Sequence, residues 1–335
     1  MEQRRLGNSS LVSSVVGFGT WEMGGTQYGP IDPQEAVAAV HYALDNGVTL
    51  FDTALGYGPH RSEELLGQAL GPRRKDIILV TKVGLVWREG SLLALEAGRD
   101  HILTETDGCL SRLGTDYVDL LIIHWPDPHT PAAETIGTLE DLKKAGKIRE
   151  YAVSNYTVEM MEECEKYGHL AANQVGYNLF DRRMEKEVLP YCVQREIGFM
   201  AYGSLGFGLL TGEFKPDTRL EPWDWRSRGN AFELPLFQPE SYQKELKVVD
   251  RLKDLARRYD KTVAQLALAW VLSNPAVSVA LTGIRRPSEI AENVAEADWR
   301  LGDDIKAEID QIFTEENVPT YRDAPQAVYP PALKR

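Results

Sequence analysis

The sequence predicts an α/β fold: a (β/α)8 barrel of the TIM type, with an N-terminal β-hairpin and additional C-terminal helices. Two observations lead to this prediction. Short runs rich in β-branched and aromatic residues alternate with longer amphipathic stretches along the 335 residues, which is the order expected of strands joined by helices. Eight such runs follow the N-terminal segment, and eight strands close a barrel of this kind.

The elements can be placed in order along the chain. A hairpin is predicted in RRLGNSSLVS, with its turn near Gly7 and Asn8. Barrel strands are predicted at 15–19, 49–53, 77–82, 118–124, 148–155, 172–178, 198–203 and 277–283. Helices are predicted at 34–46, 62–70, 100–113, 131–145, 157–167, 185–196, 241–259, 262–273, 287–296 and 303–313. Ser62 followed by Glu63 and Glu64 is typical of a helix start, where caps and early carboxylates stabilise the helix.

We expect residues 1–335 to form one domain, because no repeat, low-complexity segment or linker rich in Pro, Gly and Ser divides the chain. The stretch KPDTRLEPWDWRSRGNAFELPLFQP, residues 215–239, is too long and too irregular for an ordinary connection. Loops of this kind are usually lids or binding loops, so we predict a lid over the active site here.

An open, doubly wound sheet is the competing architecture. Its nucleotide site would show a glycine-rich turn where the first helix begins. The segment GFGTWE instead has Glu22 in the place of the third glycine of GxGxxG. This argues against a Rossmann-type nucleotide site, and it leaves nucleotide binding by another fold open.

Composition excludes several function classes. The formal net charge of −13 argues against nucleic acid or an anionic membrane surface as the main partner. No apolar run approaches the roughly 18 residues that span a bilayer, and the N-terminus has no apolar signal core. The three cysteines are widely spaced without a CxxC pair, which is typical of reduced thiols. We therefore predict a cytoplasmic location.

Polar residues stand where several predicted strands end. Asp52 ends the second strand, Lys82 the third and His124 the fourth, and Tyr57 follows the second strand in a glycine-containing loop. Each of these residue types also occurs at strand ends as a cap or a solvated side chain. In a barrel, however, catalytic groups come from the C-terminal ends of different strands. Four such groups at one rim favour a proton-transfer site.

The four residue types suit the protonation of a carbonyl oxygen. A phenol with a pKa near 10 is a poor acid, but a nearby ammonium such as Lys82 lowers that pKa. Asp52 would hold the ammonium in place and keep it protonated. His124 could donate a hydrogen bond to the carbonyl oxygen and orient the substrate. The set is a tuned general acid, Tyr57, beside a polarised carbonyl group.

The sequence offers no obvious protein nucleophile to complete this chemistry. It contains no GxSxG elbow, and no cysteine stands at a predicted strand end. It contains no HxH or HExxH motif, so no metal site is expected. A hydride from a nicotinamide cofactor would complete the reaction, because reducing a carbonyl group requires one hydride and one proton.

Eight segments in order carry a family resemblance. They are GFGTW (17–21), FDTALGYG (51–58) with SEELLG (62–67), VTKVG (80–84), DLLIIHWPDP (119–128), GKIREYAVSNY (146–156), NQVGYNL (173–179), AYGSLGFGLLTG (201–212) and TGIRRPSEIAEN (282–293). With them the chain resembles the aldo-keto reductase family nearly end to end. It is most similar to the bacterial sugar- and aldehyde-reducing branch, which also resembles the potassium-channel β subunits.

The resemblance implies a (β/α)8 barrel that binds NADPH in extended form across its C-terminal face. It places the family's four catalytic residues on Asp52, Tyr57, Lys82 and His124. In the family, polar groups after strands five and six hold the carboxamide, an aromatic ring stacks on the nicotinamide, and a glycine-rich loop runs along the pyrophosphate. The implied cofactor-binding residues are Gly19, Thr20, Trp21, Ser154, Asn155, Gln174, Tyr202, Gly203, Ser204, Leu205, Gly206, Gly208, Gly283, Arg285, Glu289, Glu292 and Asn293.

One departure from the family pattern concerns the choice of coenzyme. Glu289 stands where the family usually has Gln or Arg, and a carboxylate there would repel a 2′-phosphate and could bind ribose hydroxyls instead. Arg285 and Arg286 act in the opposite direction, because two guanidiniums suit a phosphate. We favour NADP(H), with NAD(H) left open by Glu289.

Aromatic residues are placed where a substrate would meet them. Trp21, Trp125 and Asp127 are the predicted substrate contacts, and Trp223 or Trp225 could reach the site from the long loop. Tryptophans with interspersed polar groups suit a sugar or an aromatic aldehyde. We therefore expect a small-molecule carbonyl substrate, an aldehyde or a ketone, with aldoses among the candidates. The sequence carries no signature of the physiological substrate, the favoured reaction direction or an oligomeric state.

Two functions of other classes remain open at this point. One is a cofactor-binding regulatory protein with little turnover, like the channel β subunits. The other is a barrel aldolase in which Lys82 forms a Schiff base, although a paired carboxylate that keeps the lysine protonated speaks against it.

Overall fold

The computed structural model describes residues 1–88, 91–295 and 297–330. Its strands are β1 Gln3–Arg5, β2 Val12–Ser14, β3 Val16–Gly19, β4 Leu50–Asp52, β5 Ile78–Val83, β6 Leu85–Arg88, β7 Ser91–Leu95, β8 Val118–Ile123, β9 Ile148–Ser154, β10 Ala172–Gly176, β11 Gly198–Tyr202 and β12 Val277–Gly283. Strands β3, β4, β5 and β8 to β12 pair in parallel in chain order, and β12 pairs with β3 to close a barrel. The predicted (β/α)8 barrel is confirmed.

Helices cover the outside of the barrel. They are α1 Pro33–Asp45, α2 Arg61–Leu70, α3 Arg99–Leu113, α4 Ala132–Lys144, α5 Val158–Cys164, α6 Val188–Gln194, α7 Pro239–Arg257, α8 Val263–Leu272, α9 Pro287–Ala295 and α10 Asp303–Glu315. Each was predicted, but α6 begins later than expected because residues 183–185 form a separate 3₁₀ turn. The predicted end of α9 at residue 296 lies outside the described residues. No helix in the described ranges is long and apolar enough to cross a membrane.

The N-terminal hairpin closes one end of the barrel. Strands β1 and β2 pair antiparallel, as predicted. Leu6 and Leu11 of the hairpin are buried together with inward-facing side chains of the barrel strands, among them Leu50, Val80 and Leu120. A larger apolar cluster lies between the strands and the helices. The hairpin does not cover the opposite end of the barrel, where the strands end. A functional site is therefore expected at that end.

A second hairpin was not predicted. Strands β6 and β7 pair antiparallel directly after β5. The prediction left this segment in the connection between the strand at 77–82 and the helix at 100–113. Its Trp87 reaches back over the loop that follows β4, where its indole packs against Gly56.

Candidate active site

The inward-facing side chains of the barrel strands form rows with a period of two residues, as in any β-strand. On β5, Ile78 and Val80 pack inside the barrel, and Lys82 is the next residue of that row. The corresponding rows on neighbouring strands lead from buried apolar residues to Asp52, His124, Ser154 and Gln174. Strand alternation therefore brings the polar residues of different strands together at the C-terminal mouth.

A buried ammonium connects three of the four predicted catalytic residues. Lys82 Nζ donates to Asp52 Oδ1 at 2.5 Å, to the carbonyl oxygen of Thr53 at 2.9 Å and to the hydroxyl oxygen of Tyr57 at 3.2 Å. An ammonium group has three N–H donors, so these acceptors account for all of them. Lys82 is 0% exposed, which fixes the ammonium behind the Tyr57 hydroxyl.

Burial acts on the pKa of Lys82 and Tyr57 in different directions. It lowers the pKa of Lys82, and the adjacent carboxylate of Asp52 opposes that shift. The sequence argument expected Lys82 to lower the pKa of Tyr57. In the structure, burial and then the negative charge of Asp52 raise the pKa of Tyr57 well above its usual value. Tyr57 is therefore a protonated donor at neutral pH, which is the state a general acid needs.

His124 lies beside Tyr57 as a neutral imidazole. Burial and the charge of Lys82 hold the pKa of His124 well below its usual value, so the ring carries one N–H donor at neutral pH. The two rings meet edge to face, with centroids 5.9 Å apart. Nδ1 of His124 is buried and has no hydrogen-bond partner in the described part of the chain. The ring lines the cleft described below, where it would meet a bound group.

Two glycines explain the position of Tyr57. Gly58 has a φ of 63°, in the left-handed region that favours glycine, and a Cβ there would collide with the backbone of Gly24. A Cβ on Gly56 would lie 2.7 Å from Nε1 of Trp87. The tight turn after β4 therefore requires glycine at position 58, and a side chain at position 56 would displace Trp87. The turn holds Tyr57 over Lys82.

Four further predicted residues form a continuous network beside Asp52. Gln174 Nε2 donates to Asp52 Oδ2 at 2.8 Å, and Ser154 Oγ donates to the carbonyl oxygen of Gln174 at 2.8 Å. Asn155 Nδ2 donates to Ser154 Oγ at 3.0 Å, and the Tyr202 hydroxyl donates to Asn155 Oδ1 at 2.9 Å. This network fixes the amide groups that the resemblance assigns to the carboxamide.

Comparison with models of protein families identifies the family to which a chain with these site residues belongs. The model of the aldo/keto reductase family matches residues 15–313 of the chain. The chain belongs to the aldo/keto reductase family. This assignment confirms the resemblance found in the sequence, and with it the predicted activity class, NAD(P)H-dependent reduction of carbonyl compounds.

Individual relatives of this aldo/keto reductase cover nearly its whole length. The aldo-keto reductase YhdN of Bacillus subtilis is 37% identical over 99% of this chain and 98% of its own. An NADH-specific methylglyoxal reductase of Escherichia coli is 35% identical over 90% and 95%. A probable voltage-gated potassium channel subunit beta of Arabidopsis thaliana is 33% identical over 89% and 92%.

Solved structures agree with the fold of this reductase. The glycerol dehydrogenase of Gluconobacter oxydans superposes with a TM-score of 0.85, at 35% identity over 94% of this chain and 95% of its own. An aldo-keto reductase from Klebsiella pneumoniae, solved in complex with NADPH, gives a TM-score of 0.73 at 29% identity, over 93% and 95%.

A single cleft of about 740 Å³ runs from the catalytic residues across the barrel mouth. This volume is typical of a ligand site. Most of the predicted cofactor-binding residues line it, namely Gly19, Thr20, Trp21, Ser154, Asn155, Gln174, Tyr202, Gly203, Ser204, Leu205, Gly208, Gly283, Arg285, Glu289, Glu292 and Asn293. Gly206 does not line it. The catalytic residues Asp52, Tyr57 and His124 line the same cleft, with Lys82 buried behind them.

The predicted substrate contacts divide into two groups. Trp21 and Trp125 line the cleft, whereas Asp127 does not. The Asp127 carboxylate accepts from the Ala97 amide, the His129 amide and the Thr130 hydroxyl. In this structure it therefore stabilises two loops outside the cleft lining.

An aromatic wall of the cleft was only partly predicted. Trp225 lies with its ring centroid 5.3 Å from that of Trp21, while Trp223 is 51% exposed. Phe232, which the sequence analysis missed, has its ring 6.1 Å from Trp125 and 5.2 Å from Tyr202. The missed rings Tyr28 and Phe207 complete the wall. For Phe232, the available signal in the sequence was the abundance of aromatic residues in 215–239.

The long segment 215–239 is held in place over the cleft. Its Trp225 amide donates to the carbonyl oxygen of Gln27, and its Arg226 guanidinium donates to the carbonyl oxygen of Phe207. Arg226 is itself held by Asp224 at 2.6 Å. The segment contacts both the loop after β3 and the loop after β11, which are the two sides of the cleft.

The far end of the cleft carries the residues that the resemblance assigns to adenosine. Glu289 Oε2 accepts from the backbone N–H of Arg285 at 2.7 Å. Glu289 Oε1 accepts from Nε of Arg286 at 3.1 Å and from the Arg285 guanidinium at 3.4 Å. One carboxylate thus pairs with both guanidiniums expected to meet a 2′-phosphate.

Proposed function

We propose that this aldo/keto reductase interconverts an aldehyde or ketone and its alcohol, with a nicotinamide dinucleotide as the hydride carrier and Tyr57 as the general acid and base. One observation carries the proposal: the Tyr57 hydroxyl is hydrogen-bonded to a buried ammonium at 3.2 Å and lines the large cleft. The cleft therefore combines a proton donor, a positive charge that stabilises the conjugate base of that donor, and room for two ligands.

The proposed reduction needs one hydride and one proton, and the protein supplies the proton. When bound, the nicotinamide ring supplies the hydride to the carbonyl carbon. Tyr57 donates its hydroxyl proton to the carbonyl oxygen, and the ammonium of Lys82 stabilises the resulting phenolate. The neutral imidazole of His124 donates a hydrogen bond to the same oxygen and orients it. Oxidation of the alcohol reverses these transfers.

Several features of the cleft support a bound dinucleotide. The amide side chains of Gln174 and Asn155 are already fixed, and Tyr202 offers a ring beside them. Gly203 and Gly208 have φ values of 61° and 103°, so this loop presents backbone without a Cβ where a pyrophosphate would pass closely. The residues present therefore fit the cofactor.

We propose NADP(H) as the preferred coenzyme, with NAD(H) also accepted. Arg285 and Arg286 carry two positive charges against the single negative charge of Glu289, so a 2′-phosphate meets net positive charge. The ion pairs with Glu289 weaken this preference, because the phosphate must compete for the same guanidiniums. Relatives support both coenzymes: one is NADH-specific and one was solved with NADPH.

The substrate we propose is a small aldehyde or ketone, with aldoses included. The mouth beside Tyr57 is walled by Trp21, Trp125 and Phe232, which offer apolar contact with few polar groups. The names of two relatives, a methylglyoxal reductase and a glycerol dehydrogenase, support small carbonyl compounds and polyols. We also propose a cytoplasmic location, supported by three free and buried cysteines.

Lys82 is a poor candidate for Schiff-base chemistry. A nucleophilic amine must lose a proton and approach a carbonyl carbon, but Lys82 is 0% exposed. All three of its N–H bonds point to Asp52, Thr53 and Tyr57. We therefore expect no borohydride-stable adduct at Lys82 with any carbonyl substrate.

The test of the proposed function combines coenzyme binding with turnover. Tryptophan quenching by NADPH and by NADH gives the two dissociation constants, and the loss of nicotinamide absorbance with a panel of aldehydes, ketones and aldoses gives the rates. We expect binding and turnover. Tight binding with negligible turnover across the panel would instead support a cofactor-binding regulatory protein, and no binding would contradict both.

A further inference from the structure

Glu22 occupies a position in the cleft that no role above explains. It begins the short 3₁₀ turn Glu22–Gly24, just after β3, and lines the same cleft as Tyr57. Its carboxylate lies directly against Gly283 at the end of β12, where any Cβ would collide with it. Gly283 is one of the residues that the resemblance assigns to the coenzyme.

The side chain of Glu22 is partly buried, and one oxygen of its carboxyl group, the buried Oε2, has no hydrogen-bond partner among the described residues. Across the described ranges, no lysine, arginine or histidine forms an ion pair with it, although it feels the charges of Arg285 and Arg226. An unpaired carboxylate in such a place is costly, so the protonated form is favoured.

The groups that face Glu22 come from four parts of the chain. Arg285 and Glu289 lie after β12, Arg226 lies in the 215–239 segment, and Tyr28 and Tyr57 lie in the loops after β3 and β4. Arg226 is already paired with the carboxylate of Asp224, and Arg285 with that of Glu289. The two nearby guanidiniums are thus partly neutralised.

A dinucleotide in this cleft brings negative charge toward Glu22. The resemblance assigns the glycine loop after β11 to the pyrophosphate and Gly283 at the end of β12 to the adenosine, and the Glu22 carboxylate lies against Gly283. Two anions in one partly desolvated cleft repel each other strongly. We propose that the coenzyme binds to the form of the protein in which Glu22 is protonated, so that binding takes up one proton at this carboxyl group.

Burial and the charge of Glu289 raise the pKa of Glu22 to about 7, although a hydrogen bond from its own backbone N–H and the charges of Arg285 and Arg226 oppose the shift. The pKa of His124 lies well below its usual value, and those of Tyr28 and Tyr57 well above theirs. Among these groups with shifted pKa values, Glu22 alone has a pKa near neutral pH. The inference rests on the proposed function, because it assumes that a nicotinamide dinucleotide enters this cleft.

The experiment measures the dissociation constant of NADH between pH 6 and pH 9 in the full-length protein. NADH is the probe because it lacks the 2′-phosphate, whose ionisation near pH 6 would add its own pH dependence. The expected dissociation constant is level below the pKa of Glu22 and rises above it, by up to roughly 100-fold at pH 9. Calorimetry at pH 8 in two buffers of different ionisation enthalpy should show uptake of about one proton.

Two variants separate Glu22 from other titrating groups. Glu22→Gln keeps the shape and removes the charge, and we expect NADH binding that is nearly independent of pH, without proton uptake. Glu213→Gln is the matched control, because Glu213 lines the cleft with an exposed side chain; it should behave like the unmodified protein. An unchanged pH profile in Glu22→Gln would overturn the inference, whereas no NADH or NADPH binding at any pH would contradict the proposed function itself.

Discussion

The Tyr57 hydroxyl has neighbours that act on its pKa in opposite directions. Lys82, whose Nζ lies 3.2 Å away, favours the phenolate, while burial and Asp52 favour the neutral phenol and together prevail. The raised pKa keeps the proton in place until a substrate oxygen accepts it. The nearby ammonium then stabilises the phenolate only as it forms, which is the moment when stabilisation increases the rate.

Residue chemistry at strand ends could be predicted from the sequence, but residue pairing across the cleft could not. Asp52, Lys82 and His124 were identified because each ends an apolar run, and strand alternation brings such residues to one mouth. Glu22 was noticed only as a mismatch to a glycine motif. Its contact with Gly283 joins residues that are far apart in the chain, and no local pattern encodes such a contact.

Replacing Glu289 should change the choice of coenzyme. In Glu289→Gln the guanidiniums of Arg285 and Arg286 lose their carboxylate partner and become free for a 2′-phosphate. We expect the ratio of the NADH to the NADPH dissociation constant to rise by about tenfold, equivalent to roughly 1.4 kcal/mol. Fluorescence titration with both coenzymes measures it, and NADH serves as the internal control. An unchanged ratio would mean that neither arginine meets the phosphate.

At the scale of elements, regular strands and helices followed from sequence periodicity. The parallel strands and all ten described helices lie close to their predicted positions. The β6–β7 hairpin and the aromatic wall could not be predicted from sequence periodicity, because both depend on tertiary packing. Phe232, for example, packs against Trp125, which follows β8, and against Tyr202 and Phe207, which lie at and after the end of β11.

Helix α7 carries a buried carboxyl group whose ionisation should weaken the fold. Glu245 is 1% exposed, its Oε2 has no partner among the described residues, and burial raises its pKa to about 9. The folded pKa lies above the unfolded value near 4.3. The stabilising effect of the bound proton is therefore complete below pH 4 and is lost as the pH rises toward 9.

Glu245→Gln should therefore be more stable than the unmodified protein at pH 8, by roughly 1 to 4 kcal/mol in the free energy of unfolding. Urea unfolding at pH 5.5 and pH 8 measures the difference, which should be larger at pH 8. Glu240→Gln on the same helix is the control, because Glu240 is exposed, and its effect should stay below about 0.5 kcal/mol. Equal effects of the two variants at pH 8 would contradict a buried Glu245.

At the scale of the whole molecule, one arginine connects three distant segments. Arg183 is buried and pairs with Asp181 at 2.7 Å. Its Nη1 donates to the carbonyl oxygens of Phe232, in the long segment, and of Pro325, near the C-terminus. The proposed lid and the C-terminal segment are thus held against the barrel by the same side chain.

Removing that side chain should loosen the lid. Arg183→Met leaves Asp181 as an unpaired buried carboxylate, which should lower the free energy of unfolding by about 3 to 5 kcal/mol. Limited proteolysis should then cut within 215–239 faster than in the unmodified protein, and bound coenzyme should slow the cut. Arg195→Met, which removes a half-exposed guanidinium from its ion pair with Glu165, is the control. Proteolysis at the same rate in both variants would argue against this anchor.

The central claim is that Tyr57 donates the proton in carbonyl reduction, and Tyr57→Phe tests it most directly. The measurement is the steady-state rate of NADPH oxidation with the best carbonyl substrate of the panel, alongside the NADPH dissociation constant. We predict a rate at least about 100-fold lower, with coenzyme binding within about twofold of the unmodified protein. Tyr28→Phe, which removes a hydroxyl elsewhere in the cleft, should keep most of the activity. A Tyr57→Phe variant that reduces the substrate at the unmodified rate would contradict the mechanism.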